Sequence, residues 1–145
     1  MFRKITFITL TISLFLLIGG CKLAPYDAAT VQHLENLKQA HITVIDTCAT
    51  MQVLDAGGFD NKQTVWQDIY RGAMNHQNGL LDNDDMRKNA FRTIKDHYDK
   101  NIKDLETARY PLSPAFVNNI KEQVYNDYDA AINGERARKG SPVNP

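Results

Sequence analysis

An apolar residue, then a residue able to cap a helix, then a second apolar residue five positions after the first: this arrangement recurs down the chain. Tyr26-Asp27 with Val31, Leu81-Asp82 with Met86 and Leu112-Ser113 with Val117 all have it. The cap side chain satisfies a backbone N–H left over in the first helical turn, and the apolar pair, a hydrophobic staple, fixes the angle at which the chain enters. Pro114 follows Ser113 at the first helical position, where its missing N–H costs nothing. Phe59-Asp60 is a weaker fourth start, with Gln63 placed to close a capping box but Thr64 where the staple needs an apolar group. Gly57-Gly58, Gly79, Tyr110-Pro111 and Gly134 read as stops. Glycine accepts the left-handed cap conformation, and the residue before proline is pushed out of the helical region. Starts and stops together mark helical segments of about 28, 18, 27 and 20 residues.

Each segment carries an apolar stripe at three- and four-residue steps. The first runs Val31, Leu34, Leu37, His41, Val44, Cys48 and Met51, widened by Ile42, Ile45 and Leu54. The second has Val65, Trp66, Ile69, Tyr70 and Ala73; the third has Phe91, Ile94, Tyr98, Ile102 and Leu105; the fourth has Val117, Ile120, Val124, Tyr128 and Ala131, with Phe116 alongside. No stretch has period two, so no sheet is expected. An amphipathic helix must bury its stripe, and short connections favour antiparallel neighbours. The expected fold is all-α, a compact four-helix bundle over residues 27–134, and a chain of 145 residues has room for one such domain. From Glu135 to Pro145 the chain is polar, basic at Arg136, Arg138 and Lys139, and ends in prolines; it reads as a disordered tail.

The first twenty residues follow different rules. Met1-Phe2-Arg3-Lys4 is a short cationic start, and Ile5 to Ile18 is an apolar run broken by Thr6, Thr9, Thr11 and Ser13. Such a run makes only about 21 Å of helix against a bilayer core of roughly 30 Å, so it reads as a secretory signal and not a permanent anchor. Leu17-Ile18-Gly19-Gly20-Cys21 closes it. This order of charge, apolar run, two small residues and cysteine resembles the lipobox of bacterial prolipoproteins, with Ile18 where leucine is commonest. The resemblance implies removal of residues 1–20 and acylation of Cys21 through its thiol. It also implies firm attachment to a membrane by diacylglyceryl and acyl chains such as palmitate, since two or more chains hold where one binds marginally. Lys22, standing where an aspartate would imply inner-membrane retention, points to the outer membrane and its periplasmic face. Residues 22–26 would then be the tether, at most about 17 Å extended. Tyr26-Asp27-Ala28-Ala29-Thr30-Val31 also resembles the opening of small helical lipoproteins, a match too short to carry a function.

Charge narrows the partners. The 17 basic residues balance 17 acidic ones, and loss of Arg3 and Lys4 with the signal leaves 15 against 17. Nucleic-acid binding needs a concentrated basic surface, so it is not expected. With Cys21 acylated, Cys48 has no intrachain partner and the fold cannot be disulfide-stapled.

Several residues invite a chemical role, and each has a plainer reading. His41 on the first stripe and His97 beside the third could ligate haem or a metal between helices, yet no two histidines stand three or four residues apart, and His33 and His76 look peripheral. Asp82, Asn83, Asp84 and Asp85 open like a calcium loop, which fails at Arg87 and Thr93 where glycine and glutamate are required; helix capping accounts for them. Cys48 and His41 share a face but are two turns apart, roughly 10 Å, too far for activation of a thiol. Trp66, Tyr70, Tyr98, Tyr125 and Tyr128 could line an apolar pocket, and at helical spacing they read as core. No catalytic, cofactor or metal residue is assigned, and Cys21 is the single modification site. The expected function is non-catalytic: an envelope lipoprotein whose bundle binds another envelope component. The alternatives are a bundle holding an apolar ligand or haem, and a prophage or plasmid exclusion lipoprotein.

Overall fold

A computed structural model describes residues 24–80 and 84–139. The cap chemistry places the helix starts. Asp27, in extended backbone, accepts the Thr30 N–H at 2.8 Å and opens α1 (Ala28–Ala49). Ser113 accepts the Phe116 N–H at 3.2 Å and opens α4 (Pro114–Arg136), with Pro114 in the first turn. Between them lie α2 (Ala56–Gly79) and α3 (Asp85–Thr107). The described residues hold these four helices and no strand, and the all-α four-helix bundle stands.

Four boundaries differ from the reading of the sequence. Gly57-Gly58 does not separate the first two helices. α1 ends earlier, at Ala49, where Thr50 and Met51 donate backbone bonds to Thr47 and Cys48 and tighten the last turn. Residues 51–55 connect, so Met51 and Leu54 leave the α1 stripe. α2 starts at Ala56 and carries both glycines in its first turn, which brings Phe59 into the core as the first of the inward series Phe59, Trp66, Ala73. Burial of that ring outweighs the propensity cost of glycine, about 1 kcal/mol each. Val65, expected on the inner stripe, is exposed.

The cap of α3 is Asp84, which accepts the Arg87 N–H at 3.0 Å. Leu81 and Asp82 lie outside the described residues, and Met86, their expected staple partner, is exposed. Gly134 is no stop: α4 continues to Arg136 and a turn follows to Lys139. Residues 135–139, expected in a disordered tail, belong to the domain, with Glu135 and Arg138 buried. Residues 140–145 lie outside the described part.

The helices alternate in direction, and α1 approaches α2 and α4 most closely. Leu34, Leu37, Val44, Ile45 and Cys48 of α1 meet Phe91, Ile94, Tyr98, Ile102 and Leu105 of α3 and Val117, Ile120, Val124, Tyr128 and Ile132 of α4 in one core. α2 meets α3 through rings: Trp66 stacks on Tyr98 with centroids 3.6 Å apart and on Tyr70 at 5.2 Å. The connections 50–55 and 108–113 share one end of the bundle, the far end; residues 24–27, 77–80, 84–88 and 135–139 make up the near end. No helix among the described residues is long and apolar enough to cross a membrane.

Candidate functional site

Followed one turn further toward the near end, each apolar stripe arrives at a polar residue: Thr30 beyond Leu34, Gln77 beyond Ala73, Arg87 before Phe91, Glu135 after Ile132. All four are buried. A buried charge is costly unless it is paired and hydrogen-bonded, and here the pairing is extensive. Arg87 donates from Nε and Nη2 to the two carboxylate oxygens of Glu135, at 3.0 and 2.7 Å, with both side chains 3% exposed. Arg138 pairs with Asp84, the cap of α3, and its Nε lies 3.3 Å from Glu135 Oε2. The network thereby ties the start of α3 to the end of α4.

It also holds the chain that precedes α1. Arg87 Nη2 donates to the Pro25 carbonyl at 2.8 Å, Arg138 Nη1 to the Ala24 carbonyl at 3.4 Å, and the Asp27 N–H to Glu135 Oε1 at 2.8 Å. Ala24 is 8% exposed. The tether expected over residues 22–26 is therefore already part of the domain at Ala24.

Asp27 extends the cluster to α2. Its Oδ2 accepts from the Thr30 hydroxyl at 2.5 Å and lies 2.6 Å from His76 Nε2, while Gln77 donates to Thr30 Oγ1 at 2.7 Å. Burial pushes the Asp27 carboxyl up, but the bonds from Thr30 and His76 outweigh it and bring the pKa down to about 2. Asp84 is lowered too: burial raises it, while Arg138, the Arg87 N–H and the charges of both arginines lower it. The His33 ring lies 5.3 Å from that of His76, and burial followed by the His76 charge lowers its pKa.

A second buried polar group lies midway along the bundle. His41, 1% exposed, is ringed by Tyr98, Tyr128 and Trp66 with centroids 4.8, 6.0 and 6.5 Å away. Asn101 Nδ2 is 3.5 Å from His41 Nε2; its donation there leaves the proton on Nδ1, which is buried with no partner. Trp66 Nε1 donates to the Tyr128 hydroxyl at 3.1 Å, and the Tyr98 hydroxyl is buried without a partner. Burial lowers the His41 pKa to about 3 and raises those of Tyr98 and Tyr128. His41 is thus a neutral core residue, and service as an axial ligand would require the three rings to move apart.

The structure does not bring the remaining candidates together. His97 is half exposed with Nδ1 2.6 Å from Asp127 Oδ2, whereas His41 is enclosed in the core. Cys48 is buried and free, its thiol pKa raised by burial and only partly lowered by the Tyr110 hydroxyl. Tyr125 is exposed, with the Lys38 ammonium 5.8 Å from its ring centre. Asp85 stands in the first turn of α3; Asp82, Asn83 and Cys21 lie outside the described residues. Among the described residues no group of three or more His, Cys, Asp and Glu is set to hold a metal. Between α3 and α4 a groove of about 180 Å³ opens beside the ion network, floored by Leu34, Phe91, Ala130 and Ala131.

Compared with known proteins, the chain matches no family model, no curated protein and no solved structure.

Proposed function

We propose that this chain is a membrane-anchored bacterial envelope lipoprotein, cut before Cys21 and acylated there, whose small helical domain binds another envelope component without chemistry. The observation that carries the reading is the order Arg3-Lys4, Ile5 to Ile18, Gly19-Gly20, Cys21, with Ala24, three residues later, already buried in the domain. A chain acylated there needs no membrane-spanning helix, because two or more acyl chains supply the attachment. Lys22 favours the outer membrane, periplasmic face, over the inner. The binding role rests on the chemistry of the buried groups. The arginines and carboxylates of the near end are engaged with one another and with backbone, and His41 and Cys48 are enclosed in the core, an arrangement suited to holding a shape.

Mass spectrometry of protein purified from a bacterial host tests the anchor: the amino-terminal peptide should begin at Cys21 and carry acyl chains. Cys21→Ser should leave the mature domain unattached to membrane; an unmodified Cys21, or a retained Met1, overturns the reading. Crosslinking of the intact acylated protein in cells, followed by identification of the captured component, tests the binding role.

A further inference from the structure

Cys21 stands three residues before Ala24, so their α-carbons cannot be more than about 11 Å apart. Ala24 itself does not swing freely. Its carbonyl is held by Arg138, that of Pro25 by Arg87, and the N–H of Asp27 by Glu135, within a buried ion network. A flexible five-residue tether would let any face of the bundle meet the surface that holds Cys21; this chain reaches the domain at one fixed point. We propose that the ion network is a mount: resting on the reading that Cys21 is acylated, it seats the near end of the bundle on the phospholipid headgroups and turns the far end away.

The surface at that end fits a phospholipid bilayer. Met86, 65% exposed, projects there as an apolar side chain, which the headgroup boundary would bury favourably. The exposed charged residues of 24–27, 84–88 and 135–139 are Asp85, Arg136 and Lys139; Arg136 is paired with Glu35 at 2.7 Å, and Lys139 carries the sign that headgroup phosphates attract. Lys139 also lies 5.7 Å from the Tyr26 ring centre, keeping its charge beside the point where the chain enters. The helices run about 33 Å from this end to the other, so an upright domain carries residues 50–55 and 108–113, with exposed Val53, well clear of the lipid.

The test uses the full chain, acylated in cells and purified into nanodiscs of phosphatidylethanolamine and phosphatidylglycerol containing a headgroup-linked fluorescence quencher. A dye is attached at Met86→Cys or, separately, at Val53→Cys; Cys48 is buried and stays unlabelled. The Met86→Cys label should lose most of its fluorescence and the Val53→Cys label little. Insertion of about eight glycine and serine residues between Leu23 and Ala24 leaves the bundle untouched but lengthens the reach severalfold, and should bring the two labels close to equal. Mass spectrometry of the same samples reads acylation separately. Acylated protein in which both labels quench alike overturns the mount and leaves the lipoprotein reading standing, as does a difference that survives the insertion. Membrane-free protein with an unmodified Cys21 overturns both.

Discussion

Two buried polar groups divide the bundle, and they are built on opposite terms. At the near end Arg87, Glu135, Arg138 and Asp84 are ionic, and their carboxylates meet guanidinium or backbone N–H donors. Midway, His41 and Tyr98 are neutral, held by ring packing, and each keeps one buried atom without a partner. Replacing a whole buried ion pair by apolar residues is often neutral for stability, whereas removing one partner is costly. The near end thus does more to decide which helix ends meet and where the chain enters than to add net stability. The middle gains its stability from apolar and aromatic burial and encloses an imidazole that acid would charge.

The largest effect should follow from breaking the ionic side of this contrast. Glu135→Ala leaves Arg87 without its bidentate partner in a buried site and should cost about 3–5 kcal/mol, read by urea unfolding. The double change Arg87→Met with Glu135→Leu should recover a large part of that loss. If the single change unfolds no more easily than wild type, the network is not a buried one.

Protonation breaks the other side. The folded-state pKa of His41 is lowered from 6.5 to about 3 by burial, so between those values the unfolded chain takes up a proton that the folded chain refuses. Stability should fall with pH across that window by about 1.4 kcal/mol per unit. Asp27, lowered from 3.8 to about 2, contributes stability that is present above 3.8 and lost only as pH falls through about 2. Urea unfolding between pH 7 and 4 separates them. His41→Leu should remove most of the slope in that range, leaving the part due to His33, whose pKa burial also lowers, and a slope unchanged in the variant would place the acid sensitivity elsewhere.

The apolar half of the contrast was the legible half. The stripes on α3 and α4 ran true because apolar residues at helical spacing have one way to be buried, and the caps Asp27 and Ser113 were readable because their chemistry is local. The near-end network is harder to read, because Glu135 and Arg138 fall in a stretch with the composition of a solvated tail and helix capping accounts for Asp27 and Asp84. Arg138 falls in the stretch expected to be a disordered tail, and Gly134, four residues before it, is a strong local stop signal. A signal was present all the same: Thr30, Gln77, Arg87 and Glu135 continue the four stripes by one turn, a coincidence of polar residues at inward positions that only the packed helices turn into pairs. The α1–α2 boundary failed for a related reason. The double glycine is a strong local stop, and only the distant partners of Phe59 show that its burial outweighs it.

A subtler pair of changes sharpens the comparison inside the aromatic group. Tyr128→Phe removes the acceptor for Trp66 Nε1 and should cost about 1–3 kcal/mol, the penalty of a buried donor left unmet. Tyr98→Phe removes a buried hydroxyl that has no partner, and should be neutral or slightly stabilising. The two chemically identical deletions should thus differ in unfolding midpoint, with Tyr128→Phe the lower; equal losses would mean that Tyr98 is satisfied in solution, most simply by water.

The smallest effect concerns the join between the two regions. Gly134 sits inside α4 between Ile132 of the core and Glu135 of the network, and a Cβ built there meets nothing within 4 Å. If the helix does run through it, Gly134→Ala should stabilise the protein by about 1 kcal/mol, through helix propensity and a less mobile unfolded chain. If α4 instead ended at Gly134 with a left-handed cap, alanine there would be strained and the protein would lose stability. The sign of a small change in melting temperature therefore decides whether α4 carries Glu135 into the ion network as continuous helix.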